Sequence, residues 1–527
     1  SIINNLFIIS FSLVLFLISL NHYIVLIGFI IYLYYLYKKD KNIFILSLAL
    51  CAVIFIVFIT IKIYQSYIIN SFNNTIIGKV IKLEQKDYYQ KITLRYKIFK
   101  VIVKDYDFIK LNLGDKIKVT GNNIIPEINH IPNAFNYKNY FYNNLYVLEI
   151  NANEISILNH NLSIYKLNEI VNKYLEKYFN GQSLIILKGF IIGDTSDFND
   201  SLNESLKING IIHLFAISGS HIVLIISFLE KILNKLKNKN KIINIILFLY
   251  LLITRFSISI TRAIITYYCN QLCKLLNIKL TSLDISSLVF IILIIINPYL
   301  MYNLGFILSF ASTFLIILIS PLIKKINNIK SILLITITIN IFSLPLTINM
   351  NNEFNLLSPL INVLMILLVE GILIPMSFIV AVFPILNIGY TYIVSGFISF
   401  NELIADASYK SRFVIVIGQL SNLLIIIYYL FLFFMIIYYH NNKIIKWLKK
   451  LGLLFLVIIP ICSKYSLYPK ITFLDLYNGD STIIEYKDEV IVIDTGEDKP
   501  RLLQNGHYTL LTDTKRYFQQ QKTHQQV

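Results

Sequence analysis

Apolar runs long enough to cross a lipid bilayer recur from one end of this chain to the other, and one long polar stretch, about 66–209, interrupts them. A helix needs about 20 mostly apolar residues to span a hydrocarbon core of ~30 Å. Such runs fall near 2–20, 23–37 and 43–63, and then near 211–229, 242–260, 262–277, 283–297, 303–320, 331–350, 356–377, 378–399, 413–439 and 444–462. The pattern predicts a polytopic α-helical membrane protein of about 13 spans. The runs 262–277 and 283–297 are short and fit tilted or re-entrant segments. Composition agrees, since 15% of residues are charged where a soluble chain carries about 25%. The first run has no basic leader and no small-residue cleavage site, so it is expected to be a span rather than a removable signal.

Lysine-rich connections set the expected orientation. They are Lys38–Lys41, Lys231–Lys241, Lys324–Lys330 and Lys443–Lys450. All four fall on one side if Ser1 is cytoplasmic, and the positive-inside rule then places 66–209 and the tail after 463 outside. The net charge of +17 is a weaker signal. Heavy use of Ile, Asn, Lys, Tyr and Phe reads as AT-rich codon bias, which inflates lysine independently of any anionic partner. Cys51, Cys269, Cys273 and Cys462 lie in or beside apolar segments without metal-ligand spacing, as small buried residues do.

Residues 75–158 change period from helix to strand. Ile76–Glu84, Gln90–Tyr96, Ile98–Lys104, Lys116–Gly121 and Tyr146–Ile157 alternate apolar and polar, and five short strands suit an OB-type barrel. Alternation puts Ile92, Leu94, Val101, Val103, Ile117 and Val119 inward. Lys91, Arg95, Lys100, Lys104, Lys116 and Lys118 then face outward as candidate nucleic-acid contacts. A merely solvated face in a lysine-rich chain is the competing reading.

The run "GIIHLFAISGSHIVLII" at 210–226 carries His213, Ser218 and His221 inside apolar sequence. Ser218 and His221, three apart on a helix, share a face. That spacing fits a nucleophile and base, a zinc site with His213, polar packing between helices, or the wall of a polar pathway. Spacing alone leaves these open.

The motifs around that run are those of a known family. "GDTSDFNDSLNESLKINGIIHLFAISGSHIVLI" resembles the signature of the ComEC competence proteins, the DNA-internalisation channels of natural transformation, at Gly193, Asp194, Gly210, His213, Ala216, Ile217, Ser218, Gly219 and His221. Further matches follow in family order. Arg262 and Ala263 stand in "SITRAIITYY", and Asn297, Pro298, Gly305, Phe306, Leu308, Ser309 and Phe310 in "NPYLMYNLGFILSFAST". The segment 343–375 is similar to the family's L-P…N…P helix pair, and 131–147 to the end of its outer domain. The resemblance implies five regions: membrane spans over 1–65, an outer OB-like domain over 66–165, a channel domain over 166–463, the start of a metallo-β-lactamase-like domain over 464–498, and a polar tail over 499–527.

In "ITFLDLYNGDSTIIEYKDEVIVIDTG" the positions Asp475, Gly479, Asp480, Asp494 and Gly496 match that last domain, while Tyr477 and Asn478 depart from it. No H-x-H-x-D-H follows, and the sequence turns Gln-rich after Lys499, so a truncated domain, no metal, no cofactor and no nuclease are expected. The implied function is inward passage of single-stranded DNA across the cell membrane. The implied partners are single-stranded DNA, membrane lipid, an outer DNA receptor and a cytoplasmic ATPase, since no G-x-x-x-x-G-K-[ST] phosphate loop occurs in the chain. The competing readings are a small-solute permease and a non-functional truncated product.

Overall fold

The computed structural model describes residues 5–86, 88–126, 136–160, 166–215, 217–323, 327–416, 420–440, 470–476, 479–486 and 489–493. Three helices come first: α1 (Leu6–Ser19), α2 (Tyr23–Lys39) and α3 (Lys41–Asn70). Asp40 starts α3 by accepting from the backbone N–H groups of Asn42 at 2.9 Å and Ile43 at 3.4 Å, which satisfies donors that a helix start leaves open. The α1–α2 turn lies at the opposite end of α2 from the lysines at 38–41.

The chain then enters a closed five-stranded barrel. Its strands are β1 (Thr75–Gln85), β2 (Gln90–Tyr96), β3 (Phe99–Asp105), β4 (Lys116–Ile124) and β5 (Tyr146–Asn159), with α4 (Tyr137–Asn143) before β5. Neighbours run β1-β2-β3-β5-β4, and β4 pairs back to β1. All five expected strands are present. Ile92, Leu94, Val101, Val103, Ile117 and Val119 have no exposed surface, as alternation requires. Gly121 sits at a register shift between β4 and β5, where a Cβ would lie 2.0 Å from the Asn151 carbonyl oxygen. The barrel is held to the membrane helices by Gln65 of α3, whose amide donates to the Tyr146 carbonyl at 2.8 Å.

After the barrel come α5 (Lys166–Tyr178), α6 (Gly181–Leu187) with a π-helical turn over Lys188–Ile192, α7 (Asp200–Ile208), α8 (Ile212–Phe215), α9 (Gly219–Ile232), α10 (Lys239–Ile253), α11 (Ile258–Leu275) and α12 (Ser282–Ile296). A 3-10 turn over Pro298–Tyr302 leads to α13 (Leu304–Ile323) and α14 (Asn328–Asn351). Strand β6 (Glu353–Asn355) precedes α15 (Ser358–Leu368), a π turn over Val369–Leu373, α16 (Ile374–Val382) and α17 (Asn387–Lys410). Strand β7 (Val414–Val416) pairs with β6, and α18 (Asn422–His440) follows. A separate antiparallel sheet holds β8 (Lys470–Leu476), β9 (Gly479–Tyr486) and β10 (Glu489–Ile493), with β9 central.

Among the described residues, four helical stretches are long and apolar enough to cross a membrane: Lys41–Asn70, Leu304–Pro321, Lys330–Asn351 and Ser358–Val382. Shorter apolar helices include Leu6–Ser19, Gly181–Ile192, Ser282–Ile296 and Asn422–Leu432. Several expected boundaries are corrected. The run 211–229 is two helices, α8 and α9, separated by non-helical backbone. The runs 356–377 and 378–399 become 358–382 and 387–410, because Pro384 ends the first helix by denying it an N–H donor. The run 413–439 begins as a strand. The polar stretch 66–209 is not all outside the helical body either. Ile186, Leu187 and Phe190 are buried with Met365, Val369, Tyr390 and Val394 in one apolar cluster. The expected span 444–462 and the tail 499–527 lie outside the described residues.

Candidate functional site

The site begins where α6 ends. Gly193 takes φ +78°, a left-handed conformation that L side chains resist, and a Cβ there would stand 2.9 Å from Ile217 Cδ1. The Gly-Asp turn is thereby packed against the Ile217–Ser218 break. Asp194 accepts from the Ser196 N–H at 3.1 Å and shapes this turn rather than facing the break. Lys188, one turn earlier, is held by Glu176 at 3.0 Å and Asp197 at 2.9 Å. His213, on α8, hydrogen-bonds the Gly210 carbonyl and is exposed. Ala216 lies outside the described residues.

Ser218 is extended, at φ −113° and ψ 173°, and is the N-cap of α9. Its N–H donates to His221 Nδ1 at 3.1 Å, and its hydroxyl lies 3.0 Å from the same nitrogen. This is a capping box in which imidazole replaces the usual Glu or Gln. Because Nδ1 accepts a backbone proton, the ring's own proton belongs on Nε2. Nε2 is buried with no hydrogen-bond partner among the described residues. Ser218 and His221 do not share a helix face as expected, since Ser218 stands before the helix. The serine–histidine contact is a nucleophile–base distance, but among the described residues no carboxylate orients Nε2, and the contact starts the helix. Among the described residues no group of three His, Cys, Asp or Glu side chains is placed to hold a metal.

Arg262 of α11 meets the start of α9. A Cβ on Gly219 would lie 3.0 Å from Arg262 Nη2, so the close approach requires glycine. Arg262 Nη1 donates to Thr313 Oγ1, and the guanidinium lies 5.6 Å from the Phe310 ring centroid. Thr313 in turn donates to the Ser309 carbonyl at 2.8 Å. The fold therefore brings Gly193, Ser218, Gly219, His221, Arg262 and the Ser309 turn of α13 together. Gly305 stands apart, at the Asn303 cap of α13, where a Cβ would lie 3.2 Å from Asn303 Oδ1. Sequence reasoning missed Thr313 and Phe190. Thr313 lies four residues after Ser309, a helical neighbour, and was legible on that ground. Phe190, 5.9 Å from the His221 ring, carried no such signal.

The barrel's cations share a face but sort into two groups by their partners. Lys104 pairs with Glu149 at 2.8 Å, and Lys91 lies 3.9 Å from Glu84. Burial works against the Lys104 ammonium, but Glu149 outweighs it and raises its pKa. The second group is a row set by strand register: Lys116 opposite Lys79, Lys79 opposite Arg95, and Arg95 opposite Lys100. Lys79 was not among the expected contacts. The row ends on Tyr146, with Lys100 Nζ 5.2 Å from its ring centroid. Burial, then the charges of Arg95 and Lys82, hold Lys100 below the usual lysine range. Lys118 is exposed two pairs off the row, opposite Ile77.

Residues 190–442 match the family described as "Competence protein". The chain is 26% identical over 266 residues to ComE operon protein 3 of Bacillus subtilis (strain 168), covering 48% of this chain and 34% of that protein. It is 30% identical over 211 residues to uncharacterized protein MG316 of Mycoplasma genitalium, covering 38% and 54% respectively. The MG316 homolog of Mycoplasma pneumoniae is 30% identical over 192 residues, covering 36% of this chain and 50% of that protein. The chain thus spans between a third and about half the length of the curated relatives it matches. No solved structure matches it.

Proposed function

Residues 190–442 of this chain are a ComEC-type competence region, and from that premise we propose that the protein passes single-stranded DNA inward across the cell membrane. A role in DNA uptake follows from the family. The channel role rests on one observation above the others: a helix interrupted inside the helical body, at Ile217 and Ser218, with Ser218, His221 and Arg262 gathered at the break. A polyanion cannot cross hydrocarbon, so its route needs polar groups at membrane depth, and interrupted helices supply backbone polar groups where they line a cavity.

In this reading the chain crosses the membrane about 13 times, and the barrel, of OB type, stands on the outer side. Its row of Lys116, Lys79, Arg95 and Lys100 places like charges directly opposite one another. A row of cations that crosses neighbouring strands can track a phosphate backbone laid over them. Membrane lipid surrounds the helices, an outer receptor delivers DNA, and a cytoplasmic ATPase or the membrane potential drives entry. The chain itself acts as a conduit and not as a nuclease.

Loss of the gene from a naturally transformable cell is expected to abolish internalisation of free DNA while leaving surface-bound DNA measurable. Undiminished internalisation in the deletion strain would overturn the proposal.

A further inference from the structure

We infer that the end of the helical body away from the barrel is a binding face for anionic phospholipid headgroups, built from lysines of the α2–α3, α9–α10 and α11–α12 connections. It goes beyond DNA passage and holds whether or not the chain is a conduit. Charge is the starting observation. From Lys231 to Leu283 the chain has no acidic residue. The α9–α10 connection and its flanks carry Lys231, Lys235, Lys237, Lys239 and Lys241, while Lys274 ends α11 and Lys279 follows it. Among the described residues none of these lysines pairs with a carboxylate, and all but Lys239 are exposed.

Packing brings the two connections together. Asn244, in the second turn of α10, donates to Gln271 Oε1 of α11 at 3.2 Å, and the Tyr268 hydroxyl donates to the Asn244 carbonyl at 3.1 Å. The start of α10 therefore lies beside the end of α11. From there α12 leads to the turn where Tyr299 stacks on Phe58 of α3 at 4.8 Å, within the barrel's apolar cluster. Both α12 and α3 reach the barrel with their C-terminal ends, so their starts point away from it. Lys41 begins α3 24 residues before Gln65 (41 to 65), about 36 Å along a helix that rises 1.5 Å per residue. Lys38, Lys39 and Lys41 thus join the same end from a third connection.

What stands beside the lysines selects the partner. Lys38, Lys39 and Lys41 each lie over the ring four residues earlier, 5.5 Å from Tyr34, 5.7 Å from Tyr35 and 5.6 Å from Tyr37. Those three tyrosines are exposed. Leu236, Leu272, Leu275 and Leu276 are exposed among the other lysines, Leu275 at 77%. A surface that mixes lysine with tyrosine and leucine suits lipid. The apolar groups and lysine stems enter the acyl boundary, and the ammonium groups reach phosphate. A nucleic-acid strand or free phosphate would leave the leucines in water. The positive-inside rule accounts for the side on which such lysines stand, and the leucines and tyrosines interleaved with them are a separate observation.

The test uses the full chain purified in a neutral detergent, with thermal unfolding followed as short-chain phosphatidylglycerol or phosphatidylcholine is added. A ligand of the folded state raises the unfolding temperature as its concentration rises. Wild type is expected to respond to phosphatidylglycerol at roughly tenfold lower concentration or less, and salt to shrink that difference. Lys235→Gln, Lys237→Gln and Lys274→Gln together are expected to remove most of the preference, since each lysine near an anionic surface contributes about fivefold. Lys235→Arg, Lys237→Arg and Lys274→Arg together are expected to keep it. Lys86→Gln with Lys110→Gln, at two exposed barrel lysines, should leave it unchanged. Equal response to the two lipids, or a preference untouched by the triple glutamine variant, would overturn the face. Protection by inorganic phosphate or an oligo(dT) strand equal to that by phosphatidylglycerol would overturn the choice of lipid.

Discussion

The backbone N–H of Ser218 donates to Nδ1 of His221 at 3.1 Å, and this bond sets both where α9 starts and which imidazole nitrogen carries the proton. A histidine three residues past an N-cap is thereby a structural acceptor, whatever else its buried Nε2 does. His221→Gln keeps an acceptor suited to a capping box, whereas His221→Ala removes it. The alanine variant is expected to lose about 1 kcal/mol from the cap, with a further loss from the void beside Phe190. Thermal unfolding of the purified chain in detergent checks this, with glutamine expected to lie closer to wild type. Glutamine and alanine variants of equal stability would remove the capping role.

Strand register gives a sharper expectation for the barrel than residue type does. Arg95, Lys100 and Lys116 belong to the row, while Lys91 and Lys104 face carboxylates. Neutralising Arg95, Lys100 and Lys116 together is expected to weaken single-strand binding by the full chain. It should also reduce the log–log salt slope by about 0.7 for each phosphate that is no longer neutralised. Changing Lys91 and Lys104 is expected to leave that slope unaltered. Equal slopes for both sets would return the row to a solvated surface.

Acid should loosen one edge of the same barrel. Burial pushes the Glu84 carboxyl up, but the hydrogen bond and charge of Lys82, with Lys91 and Lys86, outweigh it and hold the pKa below the ordinary 4.5. A carboxyl depressed on folding contributes stability above its unfolded value and loses it as pH falls through the folded value. Hydrogen-exchange protection in β1 and β2, taken relative to the intrinsic rate at each pH, is therefore expected to fall below about pH 4.5, and Glu84→Gln should flatten that dependence. An unchanged acid response in the variant would assign it to other groups.

Sidedness is open to direct labelling. Asn112 is exposed on the barrel, in the loop before β4. A cysteine at 112, in a background without the native cysteines, is expected to react with an impermeant maleimide on intact cells. Reaction only after lysis would place the barrel inside and reverse the proposed direction of transport.

The end of the chain is expected to hold no stoichiometric metal. Elemental analysis of the purified 527-residue chain should find far less than one zinc or manganese per molecule, with no DNA hydrolysis. About one or two ions per chain, with hydrolysis lost on chelation, would show a working metal site.

Some of this was written locally. A strand's period of two fixed which barrel residues turn inward, so Ile92, Val101 and Ile117 were legible without any partner strand. Apolar run length likewise marked helices such as Lys41–Asn70 and Ser358–Val382. Local pattern does not report what stands across a gap in space. Lys79 joins Arg95 only through the pairing of β1 with β2, and a one-residue slip would turn it to the other face. The helix break before Gly219 is equally invisible to hydropathy, because Phe215, Ile217 and Ile222 are as apolar in two helices as in one. Arg262, Gly219 and Thr313 come from three helices, and their meeting is decided by packing. Close approach requires the absence of a Cβ at 219 and a hydroxyl at 313 at the same place, and only the tertiary fold supplies both.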